Sequence, residues 1–186
     1  MFLRMARRRR TAPGGVVYHV FNRGSRKGVL FRSSEEYVAF VRLISEARTV
    51  RPMRIIAYCL MTNHWHFLLW PERDGQLSRF MHWLTTTHAN HCRRETTTVG
   101  EGAVYQSRFT AVPIDDVFHL LTAWRYVERN PVEARLVSVA QDWPWSSAVE
   151  KPSADLPLDA GPIPRPPLSF INAAEVDLGT KSLVAY

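Results

Sequence analysis

Runs of β-branched and aromatic residues, partly alternating between apolar and polar positions, predict four strands. The predicted strands cover residues 16–22, 53–61, 64–70 and 104–114. A short turn near Thr62–Asn63 separates the second strand from the third, and Pro71 ends the third because proline cannot donate to a strand ladder. The second and third strands are therefore consecutive, with no helix between them.

Apolar residues at helical spacing predict three helices. The first is capped by Ser33 or Ser34, with Glu35 and Glu36 in its favourable first turn, and the second runs to about Arg94. The apolar positions of these two helices are Tyr37, Phe40, Val41 and Ile44, then Leu77, Phe80, Met81 and Leu84.

A third helix is predicted to begin at a cap formed by Asp115 or Asp116, to run through Tyr126 and to stop near Asn130–Pro131. The resulting order is β-α-β-β-α-β followed by a helix. That order predicts an α+β protein of the ferredoxin-like type, with an antiparallel sheet, helices packed on one face and an additional C-terminal helix.

Composition divides the chain into three predicted parts. Residues 1–14 read as a flexible basic arm, residues 15–150 as the folded domain, and residues 151–186 as a proline-rich tail without a core of its own.

Positive charge is concentrated in the N-terminal third of the 186 residues. Residues 1–54 carry a net charge of +10, the remainder carries −3, and arginines outnumber lysines by 21 to 3. Because guanidinium groups match phosphate oxygens in pairs, this distribution favours a nucleic-acid partner. The candidate DNA contacts are Arg7, Arg8, Arg9, Arg10, Arg23, Arg26, Gln106 and Arg108. Each arginine could equally be a solvated surface residue.

Two cysteines, Cys59 and Cys92, are too few for a disulfide framework, and no apolar run has the roughly 18–20 residues that cross a bilayer. We therefore expect a cytoplasmic, nucleoid-associated protein. No glycine motif that cradles phosphate follows a strand and opens a helix, which argues against small-molecule phosphate transfer.

His64 and His66 can offer two imidazoles to one metal ion, because residues i and i+2 of a strand point to the same face. Asn130 could supply a third ligand, and open positions would be filled by phosphate and water. This mixed nitrogen and oxygen set suits Mg²⁺ or Mn²⁺, although zinc would also accept the histidines.

Tyr126 precedes Asn130 by four residues, so the two share one helix face. A tyrosine beside a divalent ion can act as a nucleophile on a phosphodiester. Core packing is the competing interpretation of a single tyrosine in a helix.

Four segments in this order resemble the single-tyrosine HUH transposases, and among them the REP-associated tyrosine transposases. They are CLMTNHWH at 59–66, YQSRF at 105–109, RYVERNPVEA at 125–134 and DWPWSSA at 142–148. The resemblance covers about residues 14–149. Thr62 stands where a proline is common, and Trp65 where an aliphatic residue is usual.

The resemblance implies that His64, His66 and Asn130 bind the metal and that Tyr126 is the nucleophile. It implies cleavage and strand transfer of single-stranded DNA near hairpin-forming repeats, through a 5′-phosphotyrosine intermediate and a free 3′-OH. It further implies that the N-terminal region and its basic loop help to read a short sequence beside the hairpin. A monomer is expected, although insertion-sequence relatives form dimers that exchange their tyrosine helices.

Two alternatives remain open at this point. One is a hairpin-DNA-binding protein on the same fold that does not cleave. The other is a nuclease of the replication-initiator or relaxase type, which shares the histidine pair and the chemistry.

Overall fold

The β-α-β-β-α-β order is present and is followed by a third long helix, so the predicted fold class is confirmed. The computed structural model describes residues 12–95, 102–149 and 156–174. The arginine run Arg7–Arg10 lies outside them. The elements are β1 (Tyr18–Arg23), α1 (Ser34–Val50), β2 (Arg54–Met61), β3 (His64–Trp70), α2 (Gln76–Glu95), β4 (Thr110–Pro113), α3 (Val117–Glu133) and α4 (Leu168–Asn172).

The strands form one antiparallel sheet in the order β2-β3-β1-β4, which places β1 and β3 at its centre. Alternate side chains of these strands enter two separate cores. Helices α1 and α2 cover one face, where they pack against residues such as Val20, Trp65 and Phe67. Helix α3 covers the other face and packs against Cys59, Met61 and Leu68. The sheet is thus enclosed between α1 and α2 on one side and α3 on the other.

Helix α3 begins at a predicted cap but extends further than predicted. Asp116 Oδ1 accepts a hydrogen bond from the backbone N–H of His119 at 2.7 Å, which satisfies an otherwise unpaired donor of the first turn. The expected stop near Asn130–Pro131 is wrong, because the helix continues through Pro131 to Glu133. Within the described residues, no helix combines the length and apolarity needed to cross a membrane.

The predicted strand over residues 104–114 is also wrong in its first half, since only Thr110–Pro113 joins the sheet. Gln106, Ser107 and Arg108 are exposed in succession, so the alternation of a strand is lost there. Tyr105 forms only an isolated antiparallel bridge with Gly24, directly after β1, and its side chain is buried. Its hydroxyl accepts from Trp65 Nε1 at 3.2 Å and lies 2.6 Å from His88 Nδ1. These buried contacts fix the irregular segment before β4 against Trp65 of β3 and His88 of α2.

Described residues of the proline-rich tail pack on α3. Ile171 of α4 is fully buried, and the carbonyl of Asn172 accepts from Arg129 at 2.8 Å. A guanidinium nitrogen of Arg125 donates to the carbonyl of Ala173. Residues 165–173 therefore contact α3, whereas Asp159 bonds to Arg48 of α1 and to the backbone of Ile55 on β2. Residues 150–155 and 175–186 lie outside the described structure.

Candidate active site

Three histidines project from the two central strands toward α3. His64 and His66 lie on β3, and His19 lies on β1. In the β1–β3 register Phe21 stands opposite His66, so His19 is one pleat away on the same face. His64 and His66 share a face as the period of two predicts, while Trp65 is buried on the other side.

Helix α3 brings Tyr126 and Asn130 to these histidines. Asn130 Oδ1 is 3.1 Å from His64 Nε2. The Tyr126 ring stands edge-on to the His19 and His66 rings, with centroid separations of 5.6 and 5.4 Å. The structure thus brings together the four residues that the sequence predicted for catalysis, His64, His66, Tyr126 and Asn130. Their chemical roles remain predictions.

The nature of the contact between His64 and Asn130 depends on which ring nitrogen of His64 carries the proton. His64 Nδ1 lies 2.7 Å from Asn63 Oδ1, and Asn63 Nδ2 donates to the carbonyl of Lys27 at 3.3 Å. Asn63 therefore presents an acceptor to His64, which requires a proton on Nδ1. Burial lowers the pKa of His64, which favours the neutral ring. In that form, His64 Nε2 and Asn130 Oδ1 are two acceptors facing each other.

His66 is more deeply buried and is also neutral. Its pKa is held well below the usual range, first by burial and then by the neighbouring His19, His64 and Arg23. Burial likewise lowers the pKa of His19 to about 4. His66 Nδ1 contacts His19 Nε2 at 3.0 Å, whereas His66 Nε2 is buried with no hydrogen-bond partner. A buried polar atom without a partner is unusual and requires an explanation.

These observations fit a divalent cation. Neutral imidazole nitrogens and an amide oxygen are suitable ligands, and octahedral ligands at about 2.1 Å lie roughly 3 Å apart when adjacent. The observed separation of 3.1 Å between His64 Nε2 and Asn130 Oδ1 matches that spacing. In the described parts of the chain, no group of three or more His, Cys, Asp or Glu side chains is arranged to hold a metal. Two imidazole nitrogens and one amide oxygen make three ligands, and an octahedral cation would have further positions for substrate and water.

Two neighbours of the site, His19 and Asn63, were not predicted from the sequence. The topology holds the signal for His19, because the order expected of this fold places β1 beside β3. Asn63 lies in the quoted segment at 59–66, but its orienting role depends on the turn after β2.

Glu128 is a further unpredicted residue, buried on α3 between Tyr126 and Asn130. Its Oε1 accepts from Trp124 Nε1 (3.1 Å), Ser147 Oγ (2.7 Å) and Arg165 NH2 (2.7 Å). Burial raises its pKa, and Arg165 and the hydrogen bonds oppose that rise. This carboxylate joins α3, the segment after it and the tail.

The candidate DNA contacts within the described residues gather at the end of the sheet where His64 lies. Arg23 lies opposite His64 in the register, and its carbonyl accepts from the N–H of Gln106 at 3.0 Å. Arg23, Arg26, Gln106 and Arg108 are exposed. Two chain segments that are far apart in sequence thus form one polar rim beside the histidines.

The loop after β1, residues 24–28, brings the backbone of Gly24 close to the backbone of Gly28. A Cβ on Gly24 would lie 2.1 Å from the carbonyl oxygen of Gly28, so the close approach is to the loop's own backbone. Arg26 and Lys27 adopt the left-handed region at φ 53° and 61°, which is uncommon for residues other than glycine. The loop is therefore a tight, specified turn that directs Arg26 outward.

A cavity of about 820 Å³ lies behind this loop and is separate from the histidine cluster. It is lined by residues from the loop, α1, α2 and the segment after α2, with Arg26, Arg32, His91 and Arg93 among them.

An antiparallel sheet that presents a histidine pair to a tyrosine on a covering helix is the arrangement expected of single-tyrosine strand-transfer proteins. Comparison with known proteins identifies the family. Residues 15–130 match the family described as "Transposase IS200 like", and the chain therefore belongs to this family of transposases. The resemblance inferred from the sequence is confirmed.

Known proteins that are similar to this chain include a sequence relative and a solved structure. A Haemophilus influenzae protein described as a REP-associated tyrosine transposase is 29% identical over 104 residues. That match covers 52% of this chain, and the chain spans only 59% of the length of this curated relative. A solved structure of a REP-associated tyrosine transposase bound to a REP hairpin aligns with a TM-score of 0.62 and 24% identity. It covers 76% of this chain and 81% of that chain, and the likeness shows the shared fold.

Proposed function

We propose that this protein is a metal-dependent enzyme that cleaves and transfers single strands of DNA at hairpin-forming repeats, with Tyr126 as the nucleophile. The supporting observation is the position of Tyr126, whose ring stands against His19 and His66 while Asn130, one helical turn further, reaches His64. The helix face that carries Tyr126 also brings Asn130 Oδ1 to His64 Nε2, although both atoms are acceptors. Core packing of Tyr126 alone does not account for this arrangement.

The reaction is a transesterification. Tyr126 Oη attacks the scissile phosphorus, the bond from phosphorus to the 3′ oxygen breaks, and the 3′-OH leaves with a proton. The 5′ phosphate remains on the tyrosine, so a phosphodiester to Tyr126 Oη replaces the phosphodiester to the 3′ oxygen. A 3′-OH from another strand can then reverse the attack, which rejoins DNA and restores the tyrosine. No external energy source is consumed, because each bond broken is replaced by a similar bond.

His64 Nε2, His66 Nε2 and Asn130 Oδ1 would hold the cation, with Mg²⁺ and Mn²⁺ as the candidates. When bound, a divalent cation there supplies Lewis-acid polarisation of the phosphate. The chain's own contribution is to keep both imidazoles neutral by burial, to orient His64 through Asn63, and to present Tyr126 and Asn130 from one rigid helix.

The DNA partner is proposed from the polar rim formed by Arg23, Arg26, Gln106 and Arg108. A hairpin stem would present paired phosphates to the arginines, and the single strand beside it would reach the tyrosine. The similar solved protein is bound to a REP hairpin, which supports hairpin DNA as the substrate class. Such a substrate would place the protein at the nucleoid.

A monomer is the proposed active form. Helix α3 is held by its own chain, through the ion pair between Arg165 and Glu128 and through the backbone contacts of Arg125 and Arg129 with residues 172–173. Exchange of the tyrosine helix without residues 165–173 would require these contacts to break. Sedimentation of the full chain should therefore give a monomer at micromolar concentration, and a dimer would contradict this proposal.

A denaturing gel with labelled hairpin oligonucleotides and Mn²⁺ tests the proposed reaction. Wild type should give a covalent protein–DNA band that EDTA abolishes, and Tyr126→Phe should bind DNA without forming that band. Tyr18→Phe is the matched control, because Tyr18 points into the opposite core and donates to the carbonyl of Pro13. An adduct with Tyr126→Phe would exclude Tyr126 as the nucleophile. Tight binding without an adduct in wild type would favour the non-cleaving hairpin-binding protein.

A further inference from the structure

His66 has one ring nitrogen committed to a neighbour and the other without one. Its Nδ1 lies 3.0 Å from Nε2 of His19, and its Nε2 is fully enclosed with no protein partner. The rings of His19 and His66 are inclined by only 25°, which allows a hydrogen bond between the two edges. His19 is itself buried on the adjacent strand.

A single proton must lie between these two nitrogens. Neutral imidazole carries one N–H, so the nitrogen that is not protonated is an acceptor. If His66 Nε2 is to offer a lone pair, the His66 proton must be on Nδ1 and must be donated to His19 Nε2. His19 then carries its own proton on Nδ1. The opposite arrangement would place an N–H in the buried position where no acceptor exists, and a buried donor without an acceptor is destabilising.

We propose that His19 is a positioning residue that fixes the tautomer and rotation of His66, so that Nε2 of His66 is aimed at the site shared with His64 and Asn130. This inference rests on the proposed metal site. Histidine ligands commonly donate their second N–H to a carboxylate, carbonyl or water. Here the acceptor is a neutral imidazole on the neighbouring strand, and the same imidazole packs edge-on against Tyr126 at 5.6 Å. One side chain therefore orients a ligand and limits the position of the nucleophile.

The two functions of His19 can be separated by substitution. His19→Phe keeps an aromatic ring beside Tyr126 but removes the acceptor. His19→Gln places an amide oxygen near the position of Nε2 and keeps the acceptor. Loss of an orienting partner typically weakens metal binding 10–100-fold. We therefore expect the dissociation constant for Mn²⁺ to rise about 10–100-fold in His19→Phe and about threefold or less in His19→Gln.

Titration calorimetry with Mn²⁺ on the full chain provides the first measurement, and His66→Ala provides the reference for a lost ligand. Hairpin binding without metal should be equal in all variants, and excess Mn²⁺ should restore adduct formation in His19→Phe. If His66→Ala binds Mn²⁺ like wild type, the proposed metal site is wrong. If His66→Ala loses Mn²⁺ but His19→Phe titrates like wild type, the metal site stands and the role of His19 is refuted.

The second measurement uses the wild-type protein, so its result does not depend on whether a variant folds. Nitrogen-15 NMR of the imidazoles in the metal-free wild type distinguishes the two neutral tautomers. The inference requires the Nδ1–H form for both His66 and His19. An Nε2–H form of His66 would overturn it, whatever the variants show.

Discussion

Replacing Arg165 with methionine should leave a buried carboxylate on the tyrosine helix without its cation. Glu128 is fully buried, and three donors converge on its Oε1. Arg165 also donates to the carbonyl of Ser147 at 2.6 Å, so its guanidinium joins the tail to the segment after α3. Methionine keeps most of the aliphatic volume and removes only the charge and the donors.

The expected loss follows from the burial of each partner. Removing one partner of a fully buried ion pair costs about 3–5 kcal/mol. The side chain of Arg165 is 36% exposed, so water screens part of its interaction with Glu128. The Trp124 and Ser147 donors also remain. We therefore expect Arg165→Met to lower the free energy of unfolding by about 2–3 kcal/mol near neutral pH. For a chain of this length, that corresponds to a fall in Tm of about 5–10 °C.

The pH dependence gives this prediction a defined sign. Burial already raises the pKa of Glu128, and loss of Arg165 removes the group that opposes the rise most strongly. A carboxyl whose folded pKa exceeds its unfolded value stabilises the fold fully below the unfolded pKa, and that stability is lost as pH rises through the folded pKa. The deficit of Arg165→Met should therefore be smaller at pH 5 than at pH 7.5.

Urea unfolding at both pH values is the assay, with Glu128→Gln and the double variant completing a cycle. Glu128→Gln leaves a partly exposed cation and should cost less than Arg165→Met. The double variant should recover most of the loss, because no buried charge remains unpaired. A loss below about 0.5 kcal/mol with no dependence on pH, the size typical of a surface substitution, would refute the reasoning.

Three further predictions concern other parts of the molecule. Arg23→Gln and Arg108→Gln should each weaken hairpin binding and reduce its salt slope by about 1, whereas Arg42→Gln, exposed on α1, should leave the slope unchanged. The pKa of His88 is lowered to about 3 by burial, so its contribution is complete above the unfolded value near 6.5 and is lost as pH falls. His88→Gln should make the acid slope of the unfolding free energy shallower by up to about 1.4 kcal/mol per pH unit. Asp116→Ala should lower the unfolding free energy by about 1 kcal/mol through loss of the α3 cap, as measured in urea.

Local patterns in the sequence were sufficient where the structure is decided locally. The period of two placed His64 and His66 on one face of their strand, as observed. The i, i+4 spacing placed Tyr126 and Asn130 on one face of their helix, also as observed. The strand His64–Trp70 was predicted with its observed bounds. These features depend on neighbours within a few residues, so the sequence contains their signal directly.

Long-range contacts decided the features that were missed. Residues 104–109 have strand-like composition, but burial of Tyr105 against Trp65 and His88 outweighs that preference. His19 meets His66 only through the register of β1 with β3, across 47 residues of sequence. The alternation along β1 alone shows which side of the strand His19 faces, but it does not show which residue of the neighbouring strand His19 contacts.

The proline-rich tail shows why composition was a poor guide to its role. Its prolines argue against an independent core, and most of the described residues there are indeed exposed or partly exposed. Arg165 nevertheless reaches Glu128, two residues from Tyr126 along α3, and the carbonyl of Asn172 accepts a hydrogen bond from Arg129, the next residue of the helix. If α3 presents Tyr126 as the nucleophile and Asn130 as a ligand, as proposed, the helix tolerates little rotation, because each residue of slip turns both side chains by about 100°. The tail therefore limits rotation of α3 from its outer side, while the histidines define where Tyr126 and Asn130 must point.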